Sequence, residues 1–426
     1  MRVLVVGGGG REHALVWRLA RSASVAELFA APGNPGIGLD ATCLPVAADD
    51  VPALVEVVAR ERIDLTIVGP EAPLVAGLAD ELAARGHAVF GPSSAAARLE
   101  GSKAWAKGLC ERHGIPAARS MTATSMTDAV AALERFEPPY VIKADGLAAG
   151  KGVVIAEDRA VALGALEAAL EAHVFGVAGA IVLIEEFLTG REVSAFALSD
   201  GRNVVPLAFA QDFKRVGDGD EGPNTGGMGA YSPVPFVDEA LAEQIHRQIL
   251  GPTVAAMASE GVPYVGVLYA GLMLTQDGPR ILEYNARFGD PETQALMPRL
   301  ASDLSELALA CAEGALERVE VALSPRVCVT VVLASGGYPE SSERGTPIEG
   351  LAEAAAVDGA LVFHSGTAER EGRVVTAGGR VLSVSGLGDT IAEARERAYE
   401  AAARISFAGM RFRSDIAARA AEEERG

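Results

Sequence analysis

Lysine is scarce in this chain. Its 426 residues hold five, at Lys103, Lys107, Lys143, Lys151 and Lys214, against 32 arginines. Positive charge is short overall, since 57 acidic residues against 37 basic ones leave a formal charge of -20. That balance argues against nucleic acid or anionic membrane as the main partner, because phosphate backbones are bound through an excess of Lys and Arg. Long apolar runs are lacking too. No stretch approaches the roughly 18 apolar residues of a bilayer span, and the opening Met1 to Gly7 is too short for a secretory leader, so a cytoplasmic protein is expected. Cysteine is limited to Cys43, Cys110, Cys311 and Cys328, without metal-like spacing and among apolar neighbours. Buried free thiols are expected from this, not ligands or disulfides.

What is present reads as globular: 49% hydrophobic residues, 48 glycines and scattered charge. The length allows roughly two to four domains. An acidic chain can bind an anion only through local charge, and with a screening length of roughly 10 Å at 0.1 M salt a few cations can dominate a cleft. Five lysines confined to the stretch from Lys103 to Lys214 supply that charge. Lysine carries a compact point charge where arginine carries a planar fork, so the pattern points to a polyphosphate site.

The first hundred residues alternate short apolar runs with amphipathic ones. Val3 to Val6, Leu28 to Ala31, Leu65 to Val68 and Ala88 to Phe90 read as buried strands, with helices near Glu12 to Arg21, Pro52 to Arg60 and Leu74 to Arg85. This is a parallel βαβ pattern, whose ligands lie beyond the carboxyl ends of the strands. A helix over Lys103 to His113 leads into a small glycine-punctuated piece. Strands near Tyr140 to Ala144, Gly152 to Ala156 and Ala180 to Glu185 and a helix from Arg159 to His173 give it the character of a lid. A larger mixed region follows, with a charged loop from Asp212 to Thr225, a long helix near Asp238 to Ser259 and paired strands near Gly266 to Leu274 and Pro279 to Asn285. From Pro325 a separate small α/β unit is expected, ending in a frayed helix from Ala417.

Several motifs carry chemistry. Gly7 to Gly10 follow a strand and open a helix, so their amides make an anion site. A dinucleotide fingerprint competes with that reading, but Glu12 stands where it needs a third glycine or alanine. Lys143 ends an apolar strand and precedes a glycine-rich turn to Lys151, a pairing of ammonium groups and amides suited to phosphate oxygens. Glu185, Glu186, Phe187 and Leu188 offer main-chain groups of the kind that read an adenine edge, and Glu192 could accept from ribose hydroxyls. Glu283 and Asn285 are two apart, hence on one strand face, and suit Mg²⁺. Arg287 follows on that face if the strand continues and could bind a carboxylate or acyl phosphate.

Taken together, Gly9-Gly10-Arg11-Glu12-His13, Ala31 to Asn34, Ile67 to Glu71, Lys143 to Gly152, Pro223 to Met228 and Glu283 to Glu292 closely resemble the phosphoribosylamine-glycine ligase family of ATP-grasp enzymes. The likeness runs from Met1 to about Arg419, with Gly8 departing from the serine or asparagine more usual there. It implies an N-terminal α/β domain (1–102), a linking helix and strand (103–120), a mobile lid (121–190), an ATP-grasp core (191–324) and a C-terminal α/β domain (325–426). It further implies that glycine and 5-phosphoribosylamine are joined at the expense of ATP, with Mg²⁺ or Mn²⁺, in purine biosynthesis, by a monomer or weak dimer. Lys103, Lys143 and Lys151 would hold ATP phosphates, Glu185 to Leu188 adenine, Glu192 ribose, and Glu283 and Asn285 the metal. Arg287 would meet the acyl phosphate, while Asp212 and Asp290 orient the glycine amine. Gly9, Gly10, Gly33, Asn34 and Glu71, with Lys214, Asn224, Thr225, Gly226 and Gly227, would contact substrate. A sister ATP-grasp enzyme that activates bicarbonate or formate, or a nucleotide-binding protein without turnover, are the other two readings.

Overall fold

The computed structural model describes residues 1–146, 152–172, 174 and 176–425. Strands β1 (Arg2–Gly7), β2 (Glu27–Pro32), β3 (Thr42–Cys43), β4 (Leu65–Val68) and β5 (Ala88–Phe90) form a parallel sheet in the order β3-β2-β1-β4-β5. Helices α1 (Gly10–Leu19), α2 (Val51–Arg60), α3 (Glu71–Val75), α4 (Leu78–Ala83), α5 (Ser94–Gly101) and α6 (Lys103–His113) accompany it. Central β1 is apolar without alternation because both its faces are covered: Leu4 and Val6 join one core, Val3 and Val5 another. The helix expected over Leu74 to Arg85 is two pieces, because Gly77 at φ +90° breaks it between α3 and α4. Cys43, expected to be buried, is exposed on two-residue β3, while the other three thiols are buried and free.

The lid piece is an antiparallel sheet built from β6 (Ser120–Ala123), α7 (Met126–Leu133), β7 (Tyr140–Ala144), β8 (Val153–Ala156), α8 (Arg159–Leu170) and β9 (Val182–Glu186). Its strand order is β6-β9-β7-β8, and Leu133, Ile142, Leu166 and Ile184 belong to a core of its own.

Next come β10 (Arg191–Asp200), β11 (Val204–Asp212), β12 (Arg215–Gly217), β13 (Glu221–Asn224) and β14 (Gly229–Ser232). Helices α9 (Glu239–Ile245) and α10 (Gly251–Ser259), fused by a π-helical turn over His246–Leu250, precede β15 (Val265–Thr275), β16 (Gly278–Asn285), α11 (Glu292–Leu296) and α12 (Leu304–Ala312). The charged loop is ordered by the β12–β13 hairpin. The last quarter holds β17 (Val327–Ala334), α13 (Leu351–Ala355), β18 (Ala360–His364), β19 (Thr367–Arg370), β20 (Arg373–Thr376), β21 (Arg380–Gly388), α14 (Ile391–Ala402) and α15 (Ala418–Glu423).

The C-terminal strands do not stand apart from the core: β17 pairs antiparallel with β14, so the small C-terminal α/β domain extends one eight-stranded sheet in the order β16-β15-β10-β11-β14-β17-β21-β18. One expectation fails in this region. The final helix is not frayed. Ala420 and Ala421 of α15 are buried, and Glu423 accepts from Arg191 at 2.9 Å. Just before it, the Arg413 guanidinium grips Asp415 with two nitrogens at 2.7 Å each, reaches Asp220 at 2.7 Å and lies over the Phe213 ring, fixing the charged loop from behind.

Candidate active site

Between the lid sheet and the large sheet lies a cleft of about 1200 Å³. Lys103, Lys107, Lys143 and Lys214 all line it, and Lys151 lies outside the described residues. Ser102 caps α6, and Asp145 accepts from Ser102 Oγ and the Ala104 amide at 3.0 Å each, which ties the helix start to the end of β7. Lys103 then opens the helix and Lys107 stands one turn on, on the same face. Lys103 Nζ donates to the Gly146 carbonyl at 2.9 Å. Burial pulls its ammonium below the usual lysine range, with Glu283 opposing and Lys143 adding to the fall. Lys143 Nζ reaches Glu185 Oε2 at 2.9 Å and the Leu282 carbonyl at 3.1 Å.

Glu185 is 1% exposed, and its backbone is paired on both sides by β6 and β7. The Glu186 amide is also used, donating to the Arg119 carbonyl at 3.1 Å. Phe187 and Leu188 lie beyond the strand end, and both line the cleft together with Glu186. The Glu185 side chain adds something the sequence did not suggest. Its Oε1, buried in the cleft wall, has the Lys107 ammonium 3.3 Å away but no well-formed hydrogen bond among the described residues. An amino group such as adenine's could supply that hydrogen bond.

Glu283 and Asn285 share one face of β16, while Tyr284 between them points the other way and bonds Thr253 at 2.7 Å. Burial pushes the Glu283 carboxyl up, but Lys214, Lys143 and Lys103 outweigh it and leave the group below the usual range, hence ionised. No three His, Cys, Asp or Glu side chains among the described residues are grouped to hold a metal. The pair fits a divalent ion that draws its remaining ligands from phosphate and water. Asp212, at the end of β11, is pushed up to about 7 by burial and by Glu292, Glu192 and Glu283, with Lys214 opposing. Lys214 pairs with Glu192 at 2.8 Å, so the carboxylate expected to take ribose hydroxyls already has a cation.

The strand stops at Asn285, so Arg287 does not continue its face. Its guanidinium reaches Glu100 at 2.9 Å and Glu71 at 3.3 Å, on the N-terminal side of the cleft. Burial raises the Glu100 carboxyl above its ordinary range despite Arg287, whereas Arg287 and Arg11 hold Glu71 below its own against burial. Asp290 is likewise engaged, with Arg380 at 3.3 Å and Gln294 at 2.8 Å. Asn224, Thr225 and Gly226 line the cleft, and Gly227 turns at φ +108° behind them.

Four expected substrate contacts do something else. Gly9 and Gly10 do not present an open anion site, because the Glu12 carboxylate accepts from the Gly9 amide at 2.7 Å and its side chain fills the space beside Gly7, Gly9 and Gly69. Gly10 packs against Ser365 and Gln294, where no Cβ fits. Asn34 spends its amide on the Gly8 and His364 carbonyls at 2.9 and 2.8 Å and accepts from the Ile37 amide, and Gly33 packs on Cys43. These residues join the first sheet to β18 and do not line the cleft. Among those that do, and that sequence reasoning missed as site residues, are Arg11, Glu100, Glu292 and Arg380. Glu100 had one signal, the Ser93 cap that starts α5.

A cleft between two antiparallel sheets, floored by lysines from both sides and walled by a Glu-x-Asn strand, defines an ATP-grasp enzyme, a class whose members bind ATP and divalent metal ions. The same fold, at 16% identity and a TM-score of 0.73, is seen in the biotin carboxylase domain of Hydrogenobacter thermophilus 2-oxoglutarate carboxylase, solved with MgADP and bicarbonate, over 96% of this chain and 91% of that one. Three family models for phosphoribosylglycinamide synthetase match most of the chain: the N domain over residues 1–100, the ATP-grasp (A) domain over 101–293 and the C domain over 328–419. The chain belongs to this family. A phosphoribosylamine-glycine ligase of Pseudomonas aeruginosa is 51% identical over 429 residues, covering 100% of both chains. The crystal structure of the Thermotoga maritima ligase superposes with a TM-score of 0.86 at 37% identity, over 98% of this chain and 100% of that one.

Proposed function

We propose that this protein is an ATP-dependent, ADP-forming ligase that joins glycine to 5-phosphoribosylamine, giving glycinamide ribonucleotide in purine biosynthesis. The observation that carries the reading is the convergence of Lys103, Lys143 and Lys214 on the Glu283–Asn285 face in one cleft, next to Arg287 and Glu71. A carboxylate is a poor electrophile, so a glycine oxygen first attacks the γ-phosphorus and ADP leaves. The sugar amine then attacks the activated carbonyl, the C–N bond forms, the bond to phosphate breaks, and the amine sheds a proton.

In this assignment Lys103 and Lys143 meet the ATP phosphates, Phe187 and Leu188 the adenine edge with the Glu185 carboxylate, and Glu192 the ribose. Glu283 and Asn285 would hold Mg²⁺ or Mn²⁺, which when bound supplies charge neutralisation between phosphates. Arg287, aimed by Glu100 and Glu71, faces the developing acyl phosphate, and Asp212 receives the glycine amine. Asp290, already bound by Arg380, shapes the wall. No helix among the described residues is long and apolar enough to cross a membrane, and we place the reaction in the cytoplasm, in a monomer or weak dimer.

ADP release is the test, with ATP, Mg²⁺, glycine and phosphoribosylamine made in place from ribose 5-phosphate and ammonia. Omitting either glycine or the sugar amine should stop product formation, and the amide should be seen by mass. Release driven instead by bicarbonate or formate would move the protein to a sister activity.

A further inference from the structure

Lys107 has no assigned task. It is 8% exposed, one turn behind Lys103, and its ammonium lies 3.3 Å from Glu185 Oε1. Its other neighbours are the Ala118 and Ile281 carbonyls at 3.4 Å each. Lys143 takes the other oxygen of the same carboxylate at 2.9 Å. The floor of the cleft is thus a buried trio of two amino groups and one carboxylate, which carries one net positive charge when all three are ionised.

We propose that Lys107 is a positioning residue that acts through Glu185: it neutralises the carboxylate so that the Lys143 charge remains available to a polyphosphate. Without it, Glu185 and Lys143 would form a closed, neutral buried pair. Such a pair holds its cation tightly, because opening it leaves an uncompensated charge in a poorly solvated place. With two cations on one carboxylate, Lys143 can turn part of its charge to a phosphate oxygen while Glu185 stays compensated. The Ala118 and Ile281 carbonyls keep Lys107 itself in place, and nothing in its contacts needs it to touch the nucleotide.

The inference rests on the reading that ATP occupies this cleft, and the experiment separates the two. Affinities for adenosine and for a non-hydrolysable ATP analogue with Mg²⁺ are measured by calorimetry in the wild type, K107M, E185Q and K107M/E185Q. Their ratio isolates the phosphate contribution, since any loss of an adenine contact at Glu185 affects both ligands. K107M should lower the ratio by roughly tenfold or more, and K107M/E185Q, in which carboxylate and counter-ion are both gone, should recover most of it. A merely structural role would lower both affinities together and would not be rescued by the second change. An unchanged ratio in K107M, or a double variant no better than K107M, overturns the proposal while leaving ATP binding intact. A wild type that does not bind the analogue overturns the functional reading itself. Melting temperatures are followed in parallel, and K107Q replaces K107M if the latter does not fold.

Discussion

At the scale of single residues, the lysine scarcity was the most legible signal. Four of five lysines line one cleft, where a compact ammonium group suits a phosphate oxygen as a point charge. Lys143 tests this directly. It is 5% exposed and wedged between the Glu185 carboxylate and the Leu282 carbonyl, a site for a point charge on a thin stem. Lys143→Arg should therefore lower kcat/KM by about 100-fold, near 2.7 kcal/mol of transition-state stabilisation, with charge unchanged. Near wild-type turnover in steady-state kinetics would show that charge alone matters there. What the sequence hid at this scale were partners from afar. Gly10 sits in a motif that looks like a phosphate loop and Asn34 just past the end of the neighbouring strand, yet Ser365 and His364, more than 300 positions away, use them as packing and hydrogen-bonding surface. No local pattern announces such a contact.

At the scale of elements, strand positions were readable wherever burial on both faces left an uninterrupted apolar run, as in β1, β4 and β17. Helix ends were less so, and α5, short and alanine-rich, gave little apolar periodicity. The joint between α1 and β18 was not readable at all, and it carries a testable pH dependence. The His364 amide donates to His13 Nδ1 at 2.7 Å, so His13 must be unprotonated at that atom. Burial, with His364 adding, lowers its pKa to about 3, and burial lowers that of His364 to about 4. Between pH 3 and 6.5 the unfolded chain therefore binds more protons than the folded one, so stability is full above about 6.5 and falls as the solution is acidified. His13 alone should cost about 2 kcal/mol by pH 5. Melting temperature followed from pH 7.5 to 5 should drop in the wild type and drop less in His13→Gln, whose amide oxygen keeps an acceptor for His364. Parallel curves would remove His13 as the cause.

At the scale of the whole molecule, the hydrophobic cores divide the chain differently from its sequence segments. One core draws on residues from Leu4 to Ala421, threading the first sheet, the large sheet and the C-terminal helices together. Among the described residues, the lid has a separate core of 13 buried residues, all between Ala123 and Ile184, and six of them are alanine. Alanine buries little area, and at roughly 25 cal/mol per Å² such a core holds its unit far less firmly than one rich in leucine and valine. The lid should therefore open as its own unit, at a lower free energy than the body. Hydrogen exchange followed by mass spectrometry should show peptides of β7 and β9 exchanging well ahead of those from β10 and β15, which pair along ten residues in the centre of the large sheet. Adding a non-hydrolysable ATP analogue with Mg²⁺ should slow the lid peptides selectively, because Lys143 and Glu185 on the lid strands and Glu283 on the large sheet would then be bridged by one ligand. Equal exchange in lid and body without ligand would mean that the ion trio and the Asp145–Ser102 contact weld the lid to the body more strongly than its small core suggests. Closure would then owe nothing to a weakly held unit.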